Sequence, residues 1–253
     1  ERQTLIYKTL ASSSLDEDHR DELFDELETL QEECFDLQRQ INQINQINQI
    51  NQIKQGVMVD HEQLEWLKEG LIASHRDPSV RGRILTMHHP AYVTEKTKCN
   101  QADTHAIRRQ LRDVFDAVVR ALGEELGSDK PVDLVLSGHA PCLEVLRTHD
   151  TGHADSHINW VICGGSGYGL RAQRREGAEL IEDQAEGDAK VVATSKMFVG
   201  RNWPAAEGRN GYSGLRVDIA EGRPLSILLT PMVSCRDSNG WLDADPEPIT
   251  LRS

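Results

Sequence analysis

Two kinds of hydrophobic pattern alternate along the chain from residue 56 onward. One places apolar residues three or four positions apart, which predicts amphipathic helices. The other consists of short runs rich in aliphatic residues, which predict strands buried on both faces of a sheet. The predicted elements are helices at 59–72 and 104–122 and strands at 83–87, 132–136 and 158–163. Strands that alternate with helices indicate an α/β fold in which a sheet packs between helices.

The pattern changes after residue 190, where only short strand-like runs occur. They fit an antiparallel continuation of the sheet, since short runs separated by turn residues are typical of such strands. Two segments rich in Glu, Asp and Gly, 171–190 and 236–248, predict surface loops. The predicted strands are 191–194, 197–199, 215–219 and 225–229, with a hairpin turn at 221–224 between the last two.

The N-terminal section is polar and has a helical pattern of its own. Ser14 and Glu17 match a capping box, which predicts the start of a helix. We expect a helix over 17–44 that pairs in a hairpin with a helix at residues 1–11. The alternative is that this helix self-associates through its apolar face, which we call the seam. The seam follows the coiled-coil spacing of four and three residues: Leu23, Leu27, Leu30, Cys34, Leu37, Ile41 and Ile44.

An Ile-Asn-Gln unit repeats from residue 41 to residue 55, where the last copy reads Ile-Lys-Gln. At ~100° per residue, a three-residue step falls about 60° short of a full turn, so these isoleucines wind around a helix instead of lining one face. A repeat expansion in a solvated arm is therefore favoured over a binding surface. Gly56 predicts the end of the helix. The expected organisation is a helical arm at 1–55 and a globular part at 56–253.

Composition narrows the class of protein. The formal net charge of −13 and the pI near 5.2 argue against binding to nucleic acid or to anionic membranes, which need a basic face. The five cysteines form no CxxC pair, so neither a disulfide framework nor a thiolate zinc site is indicated. No run of ~18 apolar residues is present. We expect a cytoplasmic protein. The given sequence begins at Glu1 and not at Met, so a signal peptide could precede it.

Two of the predicted strands run directly into histidine. Residues 83–87 are followed by His88, His89 and Pro90, and residues 132–136 lead through Ser137 and Gly138 to His139. The carboxyl ends of strands in open sheets are where ligand sites form, and imidazole is a common metal ligand. The sequence therefore predicts a metal site at this edge, and the alternative is that each histidine caps its strand.

The same residues carry a resemblance to a known family. Asp60, residues 63–67, residues 84–90 with Tyr92, the Gly138-His139 pair and residues 159–167 occur in the order found in the C-terminal half of calcineurin-like metallophosphoesterases. The sequence is most similar in character to the purple acid phosphatase branch. The match covers roughly residues 57 to 170 and is that of the downstream part of a longer enzyme.

The resemblance implies a fold and a set of metal ligands. The fold would be an incomplete α+β sandwich of the metallophosphoesterase type. The His-x-Pro motif of the family falls on His88, and the first histidine of its Gly-His-x-His motif falls on His139, both for the same metal. The second histidine of that motif falls on Pro141, which cannot act as a ligand. The upstream family motifs are absent, and no catalytic residue can be assigned in this chain.

The implied activity is that of a hydrolase acting on phosphate esters. In the parent enzyme, two divalent or trivalent metal ions, Fe, Zn or Mn, would carry it, and this chain would supply the C-terminal part of the site. The alternative is a non-catalytic interaction protein in which a degenerate phosphoesterase core carries a coiled-coil arm. Pro141 and the missing motifs favour the alternative, whereas the His88 and His139 motifs favour the enzyme.

Further histidines and an aspartate are candidates for supporting roles. His89 should point to the opposite side of its strand if the extended geometry continues, which would place it in the surroundings of the metal and not among its ligands. His153, Asp155 and His157 would share one face if their segment were a strand. Because the segment lacks a strand-like apolar context, a polar loop on the substrate side is favoured over a second metal site. The glycine-rich run at 164–169 is expected to let the backbone turn tightly below the metal site.

Overall fold

The computed structural model describes residues 2–10, the single positions 20, 23, 26, 27, 30 and 34, and residues 59–252 apart from 168, 184–188, 205–208, 223–224 and 238–239. The chain divides into two compact units, residues 1–59 and 60–253. In the first, helix α1 spans Arg2–Leu10 and buries Ile6. Arg2 forms an ion pair with Glu26 at 2.5 Å. Most of the predicted helix over 17–44 and the whole Ile-Asn-Gln repeat lie outside the described residues.

Two helices of the second unit match the predicted amphipathic segments. Helix α2 spans His61–Arg76, and its N-cap Asp60 accepts a hydrogen bond from the Gln63 amide at 3.0 Å. Helix α3 spans Ala102–Leu122 and continues into a 3-10 turn at Gly123–Leu126. The buried face of α3 follows the helical period: Leu111, Val114, Phe115, Val118 and Leu122.

The first sheet is mixed and has six strands in the order β1-β2-β4-β3-β6-β5. Strands β1, β2 and β4 run parallel, and the remaining pairs are antiparallel. The three parallel strands are the aliphatic runs predicted at 83–87, 132–136 and 158–163. The strands are β1 Ile84–Thr86, β2 Leu134–Ser137, β3 Leu143–Thr148, β4 Asn159–Cys163, β5 Glu179–Asp183 and β6 Ala189–Val199.

The second sheet is antiparallel and is not a continuation of the first. Strand β8 pairs with β7 on one side and with β9 and β10 on the other. Ile219 of β7 lies opposite Ile227 of β8, which confirms the predicted hairpin. The strands are β7 Gly211–Ile219, β8 Ser226–Asp237, β9 Gly240–Ala244 and β10 Ile249–Arg252.

The hydrophobic core explains why the mixed sheet lies in the middle. Side chains of β4 alternate between two clusters: Trp160 and Ile162 pack with the α2 and α3 residues, whereas Val161 packs with the second sheet. The described part of the second unit is therefore layered as helices, mixed sheet and antiparallel sheet. A mixed α/β fold is confirmed. Within the described residues, none of the helices is both long enough and apolar enough to traverse a bilayer.

Two predicted loops contain strands instead. Strand β5 lies within 171–190, and β9 lies within 236–248. The prediction of loops was wrong because it relied on acidic composition. Strand β5 pairs with β6, and β9 pairs with β8. Glu182 of β5 accepts hydrogen bonds from Arg108 and Arg112 of α3 at 2.5 and 2.9 Å. Polar side chains in an edge strand with such partners do not oppose strand formation.

Candidate metal centre

The ends of β1 and β2 bring two histidines to one edge of the mixed sheet. The strands pair in parallel, with Thr86 opposite Leu136, so their carboxyl ends coincide. The pairing continues beyond the strands, because the Met87 amide donates to the Leu136 carbonyl and the Gly138 amide donates to the His88 carbonyl, both at 3.0 Å. His88 and His139 therefore emerge side by side, as the strand-end pattern predicts.

The two imidazoles already lie at the spacing of metal ligands. Nδ1 of His139 is 3.2 Å from Nε2 of His88, and the ring centroids are 5.0 Å apart. Two nitrogens that each lie about 2.0–2.1 Å from a tetrahedral zinc ion are separated by about 3.3–3.4 Å. One ion could thus accept both nitrogens after a shift of a few tenths of an ångström.

His89 does not point away from this pair. Its ring centroid lies 4.1 Å from that of His139 and 4.8 Å from that of His88. The expected alternation fails because β1 ends at Thr86 and the backbone bends at 88–89, so that the two-residue period of an extended strand no longer applies. One ligand atom from each of the three histidines lies within 4.8 Å of the others, and His88 is exposed while the other two are half-buried.

The loop that presents His139 depends on the glycine run at the end of β4. His139 has a left-handed backbone with φ of 62°, and the Ala140 amide donates to the Gly138 carbonyl at 2.7 Å. A Cβ on Gly164 would lie 2.1 Å from the Ala140 carbonyl oxygen, so only glycine permits this backbone approach. The Gly164 amide also donates to the Cys142 carbonyl at 2.9 Å. The backbone of the glycine run therefore packs against the backbone of the histidine loop.

Pro141 and the residues that follow it supply no further ligand. The Pro141 carbonyl accepts a hydrogen bond from the Arg171 amide at 3.1 Å. Glu144 is fully buried, and its carboxylate accepts hydrogen bonds from the Thr94 amide at 2.9 Å and from the Thr94 hydroxyl. Burial raises the pKa of Glu144 to about 7, against the lowering effect of the Thr94 hydrogen bonds. The Glu144 carboxyl is thus buried and hydrogen-bonded to Thr94, and it does not belong to the histidine cluster.

His153, Asp155 and His157 lie elsewhere. They belong to the loop that joins the end of β3 to the start of β4, and Arg147 of β3 pairs there with Asn159 of β4. The carboxyl end of β4, beside the histidine loop, is the opposite edge of the sheet. The structure therefore confirms a loop at this segment but does not bring these three residues to the histidine cluster.

Their contacts are those of a structural loop. The buried Asp155 accepts hydrogen bonds from Arg112 at 3.0 Å and from the Tyr92 hydroxyl. His153 lies 2.9 Å from the Asp116 carboxylate of α3. These interactions fix the loop to the helical layer, and sequence reasoning missed them because each joins residues more than 30 positions apart.

No family model and no curated protein matches this chain. Across the described part of the chain, the three histidines are the one group of three or more His, Cys, Asp or Glu side chains that could hold a metal ion. An all-imidazole set fits one borderline ion such as Zn²⁺. It does not fit a pair of ions, because a two-metal centre also requires carboxylate ligands.

One signal in the sequence bears on the placement of the His89 ring beside the other two. The second histidine is followed directly by Pro90, and the strand run ends before either histidine. A residue before proline is restricted to extended or turn conformations, so the regular strand was not certain to continue through it.

Proposed function

We propose that this chain binds a metal ion through His88 and His139 and contributes that ion to the hydrolysis of phosphate esters. The observation that carries the proposal is the 3.2 Å separation of His139 Nδ1 and His88 Nε2 at the carboxyl edge of parallel strands. The order of motifs along the chain supports it. So does the layered arrangement of helices, mixed sheet and antiparallel sheet, which suits the sandwich of the metallophosphoesterases.

The chain's own residues perform two tasks in this proposal. His88 and His139 bind the ion, and the paired ends of β1 and β2 orient the imidazoles. A bound ion would polarise a phosphoryl oxygen and acidify a bound water. The carboxylates and the remaining ligands of a second ion would come from outside the described residues. The hydrolytic activity therefore belongs to the parent polypeptide or to an assembly with another chain.

Pro141 supports a second candidate function. It occupies the position of a metal ligand in the resembled family, and its carbonyl is used in the hydrogen bond from Arg171. A core that lost this ligand could serve as a scaffold for interactions instead of a catalyst. In that case metal binding would persist without hydrolysis.

The arm supplies the interaction surface in this second candidate. We propose that residues 17–44 form a helix that packs on α1 in a hairpin. Burial of Ile6 and Leu27 and the Arg2–Glu26 ion pair support this arrangement. Circular dichroism of residues 1–55 at several concentrations tests it: helicity independent of concentration supports the hairpin, and helicity that rises with concentration favours self-association.

Metal titration followed by activity assays tests the main proposal. Calorimetry with Zn²⁺ should show binding by the full chain that is lost in His88→Ala and His139→Ala and kept in His61→Ala, which removes an exposed histidine of α2. The chain alone should hydrolyse an aryl phosphate poorly, and Pro141→His should not rescue it, since carboxylate ligands would still be missing.

Supplying the upstream half should restore turnover if the parent is an enzyme. Metal binding without turnover in the presence of that half would favour the scaffold. Absence of Zn²⁺ binding to the full chain would refute the metal-dependent proposal.

A further inference from the structure

We infer that His89 is a third metal ligand, and that His88, His89 and His139 form a complete site for a single ion within this chain. The inference rests on the proposed metal binding by the other two histidines and extends it. It follows from the placement of the His89 ring, 4.1 Å from His139 and 4.8 Å from His88 between centroids. All three ligand atoms lie within 4.8 Å of one another.

The three rings are not stacked in parallel. The His88 and His89 rings are perpendicular, at 90°, the His88 and His139 rings meet at 66°, and the His89 and His139 rings are tilted by 46°. The three nitrogens need to close from at most 4.8 Å to about 3.3–3.4 Å around a tetrahedral ion. Because His88 and His139 already have nitrogens 3.2 Å apart, the ring of His89 is the one that has to approach them.

The backbone on either side of His89 is already fixed. Pro90 restricts the conformation of the residue before it. Beyond Pro90, Ala91 and Tyr92 are buried in the core at 1% and 0% exposure, which anchors the segment that leaves the site. On the other side, the His88 carbonyl accepts the Gly138 amide and ties the two histidine loops together. A site held on both sides loses little conformational entropy when an ion binds.

The donor set decides which ions the site accepts. Three imidazoles without a carboxylate suit Zn²⁺, Co²⁺, Ni²⁺ and Cu²⁺, and disfavour Mg²⁺ and Ca²⁺, which prefer oxygen ligands. Three protein ligands also leave a fourth position of a tetrahedral ion open for water or for an oxygen of an anionic substrate. The site would thus be of the open kind, able to present one activated water or bind one phosphate oxygen.

Cobalt and zinc titrations of the full chain test the inference. Visible absorption of Co²⁺ reports its coordination, and competition with Zn²⁺ gives relative affinities. We expect His89→Ala to weaken Zn²⁺ binding by more than about 100-fold, as His88→Ala and His139→Ala do, because even residues that only orient a ligand contribute about 10–100-fold. His89→Asn, a polar variant closer in size, should weaken binding similarly, and the control His61→Ala should leave it unchanged.

X-ray absorption of the zinc-loaded chain counts the imidazoles directly, and three are expected in the wild type and two in His89→Asn. The inference about His89 is overturned if both His89 variants bind Zn²⁺ within about twofold of wild type while the other two alanine variants do not. That outcome leaves the proposed function intact. Failure of the wild type to bind either ion overturns both. Displacement of Zn²⁺ by equimolar Mg²⁺ would contradict the all-imidazole donor set.

Discussion

Replacing Glu144 by Gln should remove a loss of stability that the wild type suffers as the pH rises toward neutrality. Glu144 lies in β3, faces the helical layer and is completely buried. Its carboxylate accepts hydrogen bonds from the Thr94 amide and hydroxyl and from the Ser195 hydroxyl, and the charge of the nearby Glu95 raises its pKa. Burial dominates over these hydrogen bonds and raises the pKa of Glu144 to about 7.

The size of this loss of stability follows from the difference between the pKa of Glu144 in the folded protein and its pKa in the unfolded chain. The ordinary pKa of this carboxyl is 4.5 and that in the fold is about 7. A difference of about 2.5 pH units corresponds to about 3 kcal/mol. Below the unfolded pKa both states are protonated and the full stability is present. It is lost as the pH rises from the unfolded pKa through the folded pKa, because the unfolded chain ionises this carboxyl freely while the folded protein keeps it protonated. Burial also raises the pKa of Glu95, so this residue too makes the protein less stable as the pH rises.

Urea unfolding at intervals between about pH 5 and pH 8 measures this effect. The wild type should lose stability across that range, and Glu144→Gln should be flatter by about 3 kcal/mol, since glutamine keeps the shape and the acceptor for the Thr94 amide without ionising. Glu69→Gln, an exposed change in α2, serves as the control and should follow the wild type. A Glu144→Gln profile parallel to that of the wild type would refute the assignment of the pH dependence to this carboxyl.

Other predictions concern the histidine loop and the helical layer. Gly164→Ala should reduce stability by at least about 2 kcal/mol in thermal unfolding, because its Cβ meets the Ala140 carbonyl oxygen. Gly70→Ala, with nothing within 4 Å, should instead raise it by about 0.5–1 kcal/mol as a helix substitution. Arg112→Met leaves two partly or fully buried carboxylates without this cation and should cost about 3–5 kcal/mol. Arg76→Met, which breaks an exposed pair, should cost far less, and equal losses would show that burial does not set the cost of losing the arginine.

Much of the fold could be predicted because hydrophobic runs report burial directly. Strands β1, β2 and β4 are rich in apolar residues since both of their faces are covered, by helices on one side and by the second sheet on the other. Strand β3 was missed because Glu144 and Arg147 interrupt its pattern. The partner that stabilises Glu144 is Thr94, 50 residues away, and no local window contains both.

The histidine cluster, too, could be predicted only in part from the sequence. The proximity of His88 and His139 follows from one topological rule, that parallel neighbouring strands end at the same edge of a sheet. The position of His89 does not follow from that rule, because it depends on where the extended backbone stops. Alternation of side chains holds only within the strand, and β1 ends two residues before His88. Sequence periodicity has no means to fix that endpoint to a single residue.

The number of ions at this edge determines which chemistry it can support. Two ions about 3.5–4 Å apart clamp both the attacking and the leaving oxygens of a phosphoester, and such a pair requires carboxylate ligands. Among the described residues the cluster consists of imidazoles alone, and Pro141 adds no donor. A single tetrahedral ion on His88, His89 and His139 would retain one open position, enough to activate a water but not to hold both oxygens. If an upstream half supplies the carboxylates, the bound zinc should therefore rise from one to two equivalents per chain when that half is added, and turnover should appear with the second equivalent. Turnover that reaches its full rate at one equivalent would show instead that the three-histidine ion suffices.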